Sequence, residues 1–212
     1  MASNLLRRSG LAGILGGLLW VLFPLGTPFF MNPDQTPPGT LAHGASLAYY
    51  WLLLVFPHLL LLFGLVSLHA LYRTTYGQLG NVGFLISFVA LVLMFVGNAW
   101  AMVTFTFENR ESDVSEIFFL AGFLALVVGS VPLGIALMRT RDDPPSRIGG
   151  LLFIATLPLG ILLLIGLGAL SPKSDLGFWA GTHMPYGLAW VLLGYALLSA
   201  SSTAAEQPAR VR

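Results

Sequence analysis

Six apolar runs, each about as long as a bilayer is thick, take up most of this 212-residue chain and leave it few ways to fold. They lie near 9–30, 46–72, 79–106, 116–138, 147–170 and 177–199. A helix of about 20 residues spans a hydrocarbon core about 30 Å thick. In lipid each backbone N–H and C=O must find its partner within the segment, so each run reads as a membrane-crossing helix. Composition agrees: only 9% of the residues are charged, against about 25% in soluble domains, too few to cover a water-facing surface. The expected fold class is all-α, a polytopic integral membrane protein built as a six-transmembrane-helix bundle.

The segments between the runs, such as "YRTTYGQ", "FENRESDVSE" and "RTRDDPPSR", are short and rich in turn-forming or charged residues. Short connections make consecutive helices antiparallel neighbours, so residues 1–200 form a single domain, and 201–212 read as a disordered cytoplasmic tail. The first run follows Arg7 and Arg8 as a signal peptide would. It lacks a small-x-small cleavage site before the Pro-rich loop and is taken as an uncleaved first span. Six spans put both termini on one side. Arg7, Arg8, Arg73, Arg139, Arg141, Arg147, Arg210 and Arg212 share that side, with only Arg110 and Lys173 opposite, so the positive-inside rule makes the termini cytoplasmic and the location the cell membrane. "ALYRT" at 70–74 and "ALMRT" at 136–140 echo one another, which chance convergence of Leu- and Ala-rich helix ends on basic loops explains as well as three repeated hairpins do.

Several functions are disfavoured. There is no cysteine, hence no disulfide, thiolate metal site, cysteine nucleophile or c-type haem. No acidic or basic residue falls in the central part of a span, which argues against a pump or a strongly ion-coupled carrier. The only lysine, Lys173, lies in a loop, so a retinal Schiff base inside the bundle is ruled out. Phosphate-loop, zinc-protease and nucleophile-elbow motifs are missing, and the arginines sit where topology explains them, so nucleic acid is not an expected partner. Gly13 and Gly17 permit a close helix approach but do not by themselves support a homo-oligomer.

The chemistry that remains is neutral and aromatic. His58 lies near mid-span with His69 eleven residues on and Trp51 seven before, spacings that place all three on one face of a regular helix. Ser87 and Asn98 share a face of the third span. In the sixth span, His183 has Trp179, Tyr186, Gly187 and Trp190 at helical spacings. With the spans oriented as above, His58, Asn98 and His183 are the candidates for an outward-facing polar pocket, with Trp179 and Tyr186 at its wall. The plainer use of such residues is hydrogen bonding from helix to helix. Pro24, Pro57, Pro132, Pro158 and Pro185 each free a carbonyl and introduce kinks that can line a cavity.

These features point to a membrane protein without enzymatic groups that binds a small or lipid-like ligand, hydrophobic or uncharged, or a partner helix within the bundle. One alternative is an intramembrane enzyme or b-type haem protein using His58 and His183; otherwise no cofactor is expected. The other is a small carrier for an uncharged solute. A metal site is not expected, because His43, Asp34, Glu108, Glu116 and His183 show no ligand spacing.

Overall fold

A computed structural model describes residues 2–30, 35–108, 110, 112–140, 143–170 and 175–206. Among them are six long helices and no strand. They are α1 (Ala2–Gly26), α2 (Leu41–Tyr72), α3 (Gly77–Glu108), α4 (Asp113–Thr140), α5 (Pro144–Leu170) and α6 (Leu176–Glu206). All six are long and apolar enough to cross a membrane, so the chain has the architecture of a multi-pass membrane protein. Leucine, isoleucine, valine and phenylalanine side chains, Leu15, Leu59, Leu85, Leu124, Leu162 and Leu188 among them, point outward along every helix. That surface suits lipid, where an apolar exterior costs nothing.

The helix ends differ from the hydropathy limits because charge stops hydropathy before it stops a helix. α1 begins at Ala2 and carries Arg7 and Arg8 within it, then ends at Gly26, where the Pro24 carbonyl accepts the Thr27 N–H and hydroxyl. α2 starts at Leu41, capped by the Thr40 hydroxyl, which accepts the His43 N–H at 3.2 Å. The Asp143 carboxylate likewise accepts the Ser146 N–H at the start of α5. α6 runs on to Glu206, into the segment expected to be a tail, and residues 207–212 of that segment lie outside the described residues.

Helices follow one another antiparallel, and α1 closes the ring against α6. The end carrying Ala2 and Glu206 is called proximal here, and the opposite end, with Phe29, Arg110 and Asp175, distal. Glycines set the tightest crossings. A Cβ on Gly194 would stand 2.6 Å from the Gly10 carbonyl, and one on Gly187 would stand 2.6 Å from the Gly17 carbonyl. Gly10 and Gly17 thus meet Gly194 and Gly187 seven residues apart on each helix, and α1 lies backbone to backbone on α6. Gly13 and Gly64 face the Trp190 indole, so the glycine pair of the first span makes an intramolecular seat. Gly160 and Gly181 do for α5 and α6 what Gly17 and Gly187 do for α1 and α6. Without apolar burial to drive them together, helices in lipid depend on such close packing.

Inside the ring, one cluster centres on Trp20, Leu61, Leu91, Met94, Phe153, Tyr186 and Trp190. A second, distal cluster holds Phe23, Tyr49, Tyr50, Leu54, Met102 and Phe105. The Tyr49 hydroxyl donates to the Phe23 carbonyl and the Phe30 ring stacks on Tyr49, which ties the end of α1 to the start of α2.

One expected alignment fails. Trp51 does not share a face with His58: it is 40% exposed, while Tyr50 beside it and His58 are buried. The cause is a π-helical turn over Trp51–Val55. Pro57 has no N–H for the Leu53 carbonyl, and the ladder widens just before it, so a seven-residue step no longer returns to the same side. His69 is separate again. It lies near the proximal end, stacked on Phe84 at 3.8 Å, with its Nδ1 in a 2.5 Å hydrogen bond with the Tyr76 hydroxyl.

Candidate functional site

The distal end opens into a chamber of about 280 Å³ between α2, α3, α4 and α6. Helical spacing builds each wall. α3 contributes Gly97, Asn98, Ala101, Met102 and Phe105, a face repeating every three to four residues. α4 gives Ser115, Glu116, Phe119 and Leu120, α6 gives Phe178 and Trp179, and Asp175 stands just before α6. α2 adds Tyr50 and Leu54, which the π turn rotates inward. None of the five mid-helix prolines lines this chamber; Pro57 acts on it only through the turn it induces.

Asn98 is the amide of the wall, only 5% exposed. Behind it stands His58, fully buried. The His58 Nδ1–H donates to the Leu54 carbonyl at 2.7 Å, which leaves Nε2 as an acceptor facing the Asn98 amide N–H at 3.5 Å. This single long contact holds the amide loosely.

Trp179 forms another part of the wall, and His183 packs behind it with ring centroids 5.4 Å apart. The Thr182 hydroxyl donates to the Phe178 carbonyl at 3.0 Å, so its oxygen accepts the His183 Nδ1–H at 2.7 Å; the Trp179 carbonyl also faces that nitrogen at 3.2 Å. His183 Nε2 is then a buried acceptor with no partner among the described residues. Trp20 of α1 joins the two histidines, edge-on to His58 at 4.9 Å and to His183 at 5.1 Å.

Of the five residues singled out from sequence, Asn98 and Trp179 line the chamber, and His58 and His183 stand directly behind them. Tyr186 lies deeper. It is fully buried, stacked on Phe153 at 4.8 Å, with its hydroxyl close to Ser87 and Trp190 but in no well-formed hydrogen bond to either. The chamber also uses Tyr50, Phe105, Phe119, Asp175 and Phe178, which sequence reasoning passed over, and Glu116, which it weighed only as a metal ligand. The α3 face was legible as Asn98 followed by small and aromatic residues at helical steps. The two acidic residues read as loop markers because they sit at helix starts. A smaller, apolar recess of about 140 Å³ lies between α4, α5 and α6, on the other side of Phe178.

Among the described residues, no three His, Asp or Glu side chains converge as metal ligands. Compared with protein-family models, curated proteins and solved structures, the chain finds no match.

Proposed function

We propose that this protein sits in the cell membrane with both termini cytoplasmic and binds a small molecule or a lipid headgroup in the distal chamber, which then faces outward. The orientation is supported by basic residues: Arg7, Arg8, Arg73, Arg139 and Arg147 mark the proximal end, and Arg110 alone among the described residues marks the distal one. The observation that carries the binding reading is the chamber itself. Its volume of about 280 Å³ falls just below the roughly 300–1,000 Å³ range of ligand sites, five of its fourteen lining residues are aromatic, and it holds one loosely engaged amide. Walls drawn from four helices suit a compact ligand better than an inserted helix.

The histidines support the wall and do not line it, which speaks for binding over chemistry at His58 or His183. The Trp20 indole, in contact with both imidazoles, occupies space that a porphyrin between them would need. The test is native mass spectrometry of the protein released from membranes, beside Ala101→Trp, which fills the chamber from a half-buried wall position. A stoichiometric small-molecule adduct on the parent that is missing from the variant is expected. An adduct of equal occupancy on both refutes this location.

A further inference from the structure

The charge of the chamber wall is one-sided. Among the described residues its lining includes two acids, Glu116 and Asp175, both exposed to the outside, and no basic residue. Each acid has a local reason to be there, Glu116 in the first turn of α4 and Asp175 just before α6, where a carboxylate complements the helix dipole. That reason does not require both to line one aromatic chamber. Arg110, the basic residue described at this end, is turned aside into an ion pair with Glu108 at 2.5 Å; Lys173 lies outside the described residues.

The same walls carry the rings of Tyr50, Phe119 and Trp179. Aromatic faces carry negative quadrupole density and attract cations within about 6 Å of the ring centre. The Asn98 side-chain carbonyl, in a residue almost wholly buried, adds an acceptor without a hydrogen-bond partner among the described residues. Acceptors, carboxylates and aromatic rings meeting without a competing cation among the described residues make a poor site for an anion and a good one for an ammonium group.

We infer that the chamber selects organic monocations, with the ammonium held by Glu116, Asp175 and the faces of Trp179 and Phe119. The inference rests on the ligand-site reading above and narrows it to a substrate class. The ammonium can belong to a free solute or to a choline headgroup, and the chemistry of recognition is the same.

The experiment uses the full chain in nanodiscs of phosphatidylglycerol, which carries no amine, with protein-free discs of the same lipid as the blank that removes attraction of the cation to the anionic headgroups. Binding of phenyltrimethylammonium is compared by calorimetry with that of tert-butylbenzene, its uncharged isostere. The cation is expected to bind about tenfold more tightly, the size expected for two partly solvated ionic contacts and a ring face. Its affinity alone should fall as salt rises. The double variant Glu116→Gln with Asp175→Asn should lose the preference; if it fails to fold, the salt dependence of the parent decides. Competition from phosphatidylcholine added to the disc assigns the ammonium to a headgroup, and its absence assigns a free solute. Equal affinity for the two isosteres, insensitive to salt, overturns the cation assignment and leaves a ligand chamber. Failure of both probes to bind, with Ala101→Trp indistinguishable from the parent, overturns the chamber as well.

Discussion

Gly187→Ala adds one methyl group where α6 lies on α1. The new Cβ would sit 2.6 Å from the Gly17 carbonyl oxygen, 3.0 Å from Val21 Cγ2 and 3.3 Å from Trp20 Cβ. The valine methyl can turn away. The carbonyl is part of the helix and cannot move alone. Ordinary contact starts at 3.4 Å, so α1 must retreat by roughly 0.8 Å, a gap that forfeits a quarter to a half of the dispersion attraction along the crossing. Overpacking of this kind costs about 1–3 kcal/mol. Gly166→Ala is the control, since a Cβ there meets nothing within 4 Å; it should be neutral or up to about 1 kcal/mol stabilising, because alanine holds a helix better than glycine. Thermal unfolding in detergent, followed by tryptophan fluorescence, should show Gly187→Ala melting about 3–10 °C below the parent. Trp20, next to Val21 on the displaced helix, should also shift in emission. A Gly187→Ala protein as stable as the parent, or a Gly166→Ala protein destabilised as much, refutes the claim that backbone contact holds α1 on α6.

Other outcomes can be checked with simpler tools. The chain has no cysteine, so single cysteines report topology directly: in whole cells an impermeant maleimide should label Gln35→Cys at the distal end and leave Thr75→Cys unlabelled, and the reverse pattern inverts the proposed orientation. The buried Ser9 and Ser67 hydroxyls meet at 2.6 Å between α1 and α2. A double-mutant cycle to alanine should return a coupling of about 0.6 kcal/mol, and zero coupling would remove this bond from the account. Burial pushes the Tyr76 phenol above its ordinary range, so it stays protonated in its hydrogen bond with His69. Tyr76→Phe should therefore cost about 1 kcal/mol at neutral pH. A raised folded-state pKa gives a contribution present in full below the unfolded value near 10 and lost as pH rises through the higher folded one, so the cost should hold from neutral pH to about pH 10 and shrink above it. Pro57→Ala restores an N–H for the Leu53 carbonyl and should relax the π turn, moving the Trp51 emission to the blue as the ring turns inward; an unchanged spectrum separates the turn from the proline.

Hydropathy alone determined that there are six helices, because only length and apolarity decide whether a segment can replace water with lipid. Charge asymmetry determined the proposed orientation for a similar reason, since each arginine acts through its side of the membrane and not through its neighbours. Asn98 was recognisable as a candidate because an amide deep in an apolar run needs a partner. What the linear pattern could not show is which faces meet. Trp51 and His58 seem aligned at 100° per residue, and the π turn before Pro57 separates them. Gly10, Gly17, Gly187 and Gly194 are scattered small residues until α1 and α6 are laid together. Glu116 and Asp175 look like loop punctuation, 59 positions apart in the numbering, and only the bundle, in which Phe119 of α4 reaches across to Phe178 and Trp179 of α6, puts them on one chamber. Partition into lipid is a property of each segment by itself, whereas a binding site is a property of contacts between segments, and those are set by backbone approach and side-chain shape in three dimensions.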